Sequence, residues 1–122
     1  MIESPSISKQ REGTWLWLFK IFAGLMIVVL LIVHLVVNHL VAPSGLLSYD
    51  DVIRYYDNPL IPIMEITFLV FVVSHALVGM RSIILDLNPS TRVLRLVDIF
   101  FYLLGGVSIV YGIWLVVVLA GR

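Results

Sequence analysis

Three long apolar runs separated by two polar breaks set the plan of this chain. The first, from Ile21 to Val41, is apolar apart from His34, Asn38 and His39, with Trp15, Trp17 and Lys20 just ahead of it. About twenty residues rise ~30 Å as a helix, enough to cross a bilayer's hydrocarbon core. Aromatic rings settle at headgroup level and a lysine reaches up to it, so a first spanning helix is expected over about 15–41. The second run begins near Ile61 and opens with Pro62, which a first helical turn tolerates; it predicts a helix over about 61–86. Asn88-Pro89-Ser90 breaks the chain, and Ser90 or Thr91 is placed to cap the next helix. That third helix is expected over about 95–120, with Gly105, Ser108 and Gly112 on one face. Small residues at that spacing let helices approach closely in lipid.

The polar stretches complete the outline. Met1–Thr14 reads as an exposed arm ahead of a single transmembrane domain, 15–122. It carries Glu3 and Glu12 and leads to no small-residue cleavage site, which argues against a secretory signal. The connector Ala42–Leu60 holds Pro43, Gly45, Pro59 and three aspartates, Asp50, Asp51 and Asp57. Within it, Tyr49–Tyr56 is expected to form a short interfacial helix capped by Ser48. The fold class is an all-α membrane protein with three transmembrane helices.

Composition narrows the chemistry. The chain is 61% hydrophobic, well above the ~45–50% of soluble domains. Eight basic residues balance eight acidic ones, leaving no basic face for nucleic acid. Without cysteine, the chain cannot make a disulfide, ligate an iron–sulfur cluster or attach a c-type haem. Any metal must be held by histidine or carboxylate. Lys9, Arg11, Lys20, Arg81, Arg92 and Arg95 lie before the first span or around the second break, whereas the first connector has Arg54 against three aspartates. Positive charge stays inside, so the N-terminus and the turn at Asp86–Asp98 are expected in the cytoplasm. The C-terminus, ending at Arg122, then falls outside.

His75 is the leading candidate for chemistry. A histidine in hydrocarbon is costly unless it faces the protein interior and has a partner. At 3.6 residues per turn, His75, Gly79, Ser82 and Asp86 return to nearly one direction and form a stripe. Gly79 removes the side chain that would keep a flat ligand off the helix. Neutral imidazole is a common axial ligand of haem iron; the alternative is a buried histidine bonded to a neighbouring helix. For His34, an interhelical hydrogen bond and haem ligation stand as equal alternatives, and His39, beside Asn38 near the helix end, reads as a solvated interface residue. His34 stands ~27 Å from the inner interface and His75 ~17 Å, at ~1.5 Å per residue. If both bind haem, they serve two irons. Three spans are too few to enclose a haem, so the missing ligands belong to another chain.

The charged residues have two readings each. Arg81 is a candidate partner for a haem propionate, which a guanidinium binds through two hydrogen bonds. Lys20 reads as a snorkelling residue. Asp86 either carries protons for a bound quinone or pairs with an arginine. Glu65 is the one carboxylate a proton-coupled transporter would use, yet it lies near the outer end of its span, where water reaches easily.

His75, Gly79 and Asp86, in the pattern His-x-x-x-Gly-x-x-x-x-x-x-Asp, resemble the second transmembrane helix of the membrane-anchor subunits of succinate dehydrogenase and fumarate reductase. The smaller, D-type anchor is the nearer match. The polar arm, Trp-Leu-Phe ahead of Ala23-Gly24, and a histidine late in the first span fit the same order. The resemblance implies an anchor in the cell's inner membrane, packed with a C-type partner anchor into a haem-binding bundle. That pair docks the iron–sulfur and flavoprotein subunits, and electrons from succinate reach a quinone where the iron–sulfur subunit meets the anchors. It also implies His75 as an axial ligand of haem b, and His34 as a second ligand if two haems bind. The chain departs from the pattern at Leu87, where many D-type anchors carry tyrosine, and at Ala23, where many anchors carry serine. Both departures remove a hydroxyl, so the quinone site is expected to come mostly from partner subunits. No dicarboxylate-oxidising site is expected in this chain. The rival readings are an independent di-haem cytochrome b and a haem-free small transporter or assembly subunit.

Overall fold

The computed structural model describes residues 13–41 and 48–122. Most of the polar arm, with Lys9 and Arg11, and the connector residues 42–47 lie outside the described residues. Four α-helices make up the rest: α1 (Thr14–Val36), α2 (Tyr49–Tyr56), α3 (Leu60–Asp86) and α4 (Thr91–Ala120). Among the described residues there is no strand. α1, α3 and α4 are the three long apolar helices, each of a length and composition that crosses a bilayer.

Local sequence sets the helix ends. α2 starts on a capping box: Asp51 N–H donates to Ser48 Oγ at 3.2 Å, and Ser48 N–H returns the bond to Asp51 Oδ2 at 3.0 Å. At the head of α3, Leu60 N–H donates to Asn58 Oδ1 at 3.0 Å. Pro62 falls in the first turn, where its missing N–H removes no intrahelical bond. α3 ends where Asn88 takes a left-handed backbone conformation, φ 52°, which asparagine tolerates, with Pro89 next in the chain. Ser90 then accepts the Val93 N–H at 3.3 Å, so α4 begins at Thr91. That start precedes the expected position 95 because the cap, and not the apolar run, nucleates the helix. Its first turn, with Arg92 and Arg95, is polar and extends past the apolar stretch. At the other end of the bundle, α1 changes to a π turn at Val37–Val41, across the polar pair Asn38 and His39.

α3 is the centre of the bundle. α1 and α4 each pack along it, and among the described residues they do not pack on each other. α4 approaches closely because of its small residues. A Cβ on Gly105 would lie 2.7 Å from Leu77 Cδ1, and one on Gly112 would run into Leu69. The expected small-residue face is thus the one turned to α3. α1 runs antiparallel to α3, with Phe22 meeting Phe71 edge-on at 5.9 Å and His34 beside Phe68 at 5.3 Å between ring centroids. Ala23 is fully covered where the two helices cross. Large apolar side chains cover the outside, as suits helices solvated by lipid, where close packing and not water exclusion holds helices together.

Candidate functional site

The stripe expected on α3 faces α1. The His75 ring lies against Gly24, whose added Cβ would meet His75 Cε1 at 3.2 Å. Seven residues along, Ser82 accepts a hydrogen bond from Lys20 Nζ at 2.9 Å. His75 Nδ1 is buried and has no hydrogen-bond partner among the described residues. A buried polar atom left unpaired costs roughly 1–3 kcal/mol, so such atoms mark places where a ligand or partner supplies the missing contact. Between His75 and Ser82, Gly79 is open, with nothing within 4 Å of the position its Cβ would take. The face therefore offers a ligating nitrogen, a close-approach glycine on α1 and an open wall on α3. This donor set fits a flat metal-centred ring.

Arg81 belongs to a different face. Its Nε donates to Asp98 Oδ1 at 2.6 Å and its Nη2 to Asp98 Oδ2 at 3.3 Å, a fork that ties α3 to α4. The pair stands at the edge of a groove of about 640 Å³ that opens over α3 because α1 and α4 stay apart. Phe19 of α1, Ser74 and Leu77 of α3, and Phe101 and Gly106 of α4 line it. Asp86 is exposed in the last turn of α3. Of the expected residues, then, His75, Gly79 and Ser82 share the α1-facing stripe, whereas Arg81 does not join them.

His34 sits in a second cluster at the far end of the bundle. Its Nδ1 is 3.2 Å from Glu65 Oε1, and its Nε2 is 2.9 Å from the Asn38 amide nitrogen. Tyr55 of α2 donates its hydroxyl to the same Glu65 oxygen at 3.0 Å. Burial, the Glu65 charge and this hydrogen bond all push the Tyr55 pKa well above the ordinary phenol value. Tyr56 is raised as well, by burial and then by Glu65. The Glu65 side chain is only 17% exposed. It is a shared acceptor for two elements, not the easily hydrated carboxylate expected from its position. His39 is exposed, as an interface residue should be.

Sequence reasoning weighed His34 and Glu65 separately and missed that they meet. The signal was present: α1 and α3 run antiparallel, and both residues lie near the connector that joins them. Asp98 was missed for a similar reason. It and Arg81 are nearly equidistant from the Asn88-Pro89 turn, which brings them together across the hairpin.

The family described as succinate dehydrogenase/fumarate reductase transmembrane subunit matches residues 4–120. A curated relative from Archaeoglobus fulgidus, described as a succinate dehydrogenase hydrophobic membrane anchor subunit, is 29% identical over 92 residues. The match covers 75% of this chain and 77% of that protein. No solved structure gives a significant match.

Proposed function

The chain belongs to the family of succinate dehydrogenase/fumarate reductase transmembrane subunits and is a membrane-anchor subunit of such an enzyme; from that premise we propose that it is a D-type cytochrome b anchor. It holds one haem b with a C-type partner anchor, docks the iron–sulfur and flavoprotein subunits, and supports electron transfer from succinate to quinone. The carrying observation is His75, whose buried Nδ1 lacks a partner on a face kept open by Gly24 and Gly79. When bound, haem supplies a one-electron centre whose potential depends on its axial ligands, burial and nearby charge. His75 is the ligand from this chain, and packing against Gly24 orients its ring. Lys20, held by Ser82 on the same stripe, is the cation for the haem carboxylates. Arg81, engaged by Asp98, instead joins α3 to α4. Both ring nitrogens of His34 face protein groups, which supports one haem rather than two.

Lys20, Arg81, Arg92 and Arg95 gather at one end of the bundle, and Arg54 stands among aspartates at the other. This distribution supports an inner-membrane topology with the N-terminus and the α3–α4 turn cytoplasmic and the C-terminus outside. Asp86, exposed at the cytoplasmic end of α3, is the candidate proton carrier for quinone. Leu87 next to it has no hydroxyl, so the quinone oxygens take their hydrogen bonds from partner subunits. The dicarboxylate is bound and oxidised elsewhere in the complex. The test is to purify the tagged chain from membranes and add succinate as sole reductant. A copurifying flavoprotein and a succinate-reduced b-type spectrum are expected. A haem-loaded chain that purifies alone points to an independent cytochrome b. A complex without b-type absorbance leaves a haem-free anchor.

A further inference from the structure

We propose that His34, Glu65, Tyr55 and Asn38 form a protonatable site at the opposite end of the bundle from the arginines, and that its charge tunes the redox centre at His75. The second half of this statement rests on the haem reading above. Three elements converge on one carboxylate oxygen: α1 through His34 Nδ1 at 3.2 Å, α2 through the Tyr55 hydroxyl at 3.0 Å, and α3 through Glu65 itself. With the Asn38 amide nitrogen donating to Nε2, the ring is neutral and carries its proton on Nδ1, directed at Glu65. Asn38 is only 9% exposed, and its Oδ1 is buried with no partner among the described residues. Half a turn of that carboxamide exchanges the two atoms. Oδ1 then accepts from Nε2–H, and the ring is an imidazolium beside a carboxylate. One carboxamide thus serves both protonation states with one hydrogen bond each. The π turn begins at Val37, one residue before Asn38, and such turns recur at functional positions in helices.

The surroundings leave His34 as the group that changes charge. Glu65 faces it from α3, and the phenols of Tyr55 and Tyr56 face Glu65 from α2 and stay protonated well beyond neutral pH. Asp51 is used in the α2 cap, and Asp50, Arg54, Asp57 and His39 are exposed. The His34 side chain is 25% exposed, so a proton can enter from the aqueous phase at that end. Glu65 and His75 are ten residues apart on α3, about 15 Å at 1.5 Å per residue. Across a low-dielectric bundle a unit charge acts at that distance far more strongly than in water. A proton taken from the aqueous phase onto His34 Nε2 favours the reduced centre; on reoxidation the proton returns the same way.

The test uses the purified complex in lipid nanodiscs, with His34→Gln and Glu65→Gln as variants and flavoprotein copurification as the check on assembly. Infrared difference spectra between about pH 5 and 8, where histidine titrates, should show imidazole bands that vanish in His34→Gln. Redox titration over the same range should give a haem potential whose pH slope falls roughly twofold in both variants, as expected when a coupled charge is removed. Absence of the His34 bands overturns the proposal whatever the haem content. Equal slopes in wild type and both variants overturn the coupling. A complex with no b-type absorbance overturns the haem reading instead, and the protonatable site is then decided by the infrared bands alone.

Discussion

His75 and Arg81 are six residues apart on α3 and serve different neighbours. At about 100° per residue, six positions turn about 600°, which carries Arg81 off the His75 stripe and onto the α4 side. That consequence was available from spacing alone, and the general affinity of guanidinium for carboxylates hid it. The contact between His75 and Gly24 was not available in the same way, because it depends on the register of α1 against α3. It makes Gly24 the most sensitive position in α1. Gly24→Val puts methyl groups where the His75 ring lies, so the purified complex is expected to keep its subunits while its b-type absorbance falls or shifts. Arg81→Ala leaves Asp98 without its fork between α3 and α4. Loss of a hydrogen bond to a charged group costs about 1.5–3 kcal/mol, seen as a lower thermal midpoint of the complex. The double variant Arg81→Ala/Asp98→Ala should recover part of that loss, since neither charge is then left behind.

The elements differ in how far their sequences announce them. α2 was legible to its ends, because Ser48 and Asp51 form a reciprocal cap that needs nothing from the rest of the fold. The three spans were legible from length and apolarity, and the α3-facing side of α4 from Gly105 and Gly112. The contact that docks α2 was not, because Tyr55 and Glu65 meet only after α1 and α3 have paired. This docking has a pH signature. Tyr55 has its pKa raised in the folded state, so its contribution is fully present below the ordinary value of about 10 and is lost as pH rises through the higher folded value. Protease sensitivity of the 42–60 connector should therefore rise at strongly alkaline pH in the wild type. Tyr55→Phe should show a raised sensitivity already at neutral pH and a smaller further change. At the α3–α4 contact, Gly112→Leu would collide with Leu69 and force the helices apart. Its expected result is loss of the assembled complex from detergent extracts, measured by copurification, with the isolated chain still inserted in membranes.

The whole molecule is three spanning helices with one central member, too few to surround a large cofactor. The apolar outer surface and the open face at Gly79 fit a subunit completed by a partner anchor, in keeping with its family. Charge is arranged on the same plan, with the arginines of the α3–α4 hairpin at one end and the His34–Glu65 cluster at the other. The central claim is that His75 carries this chain's share of a single haem. Haem quantitation per flavoprotein in the purified complex, for wild type, His75→Ala and His34→Ala, tests it most directly. One haem b is predicted in the wild type, none in His75→Ala and one in His34→Ala. A haem content unchanged in His75→Ala, or lost with His34 instead, would contradict it.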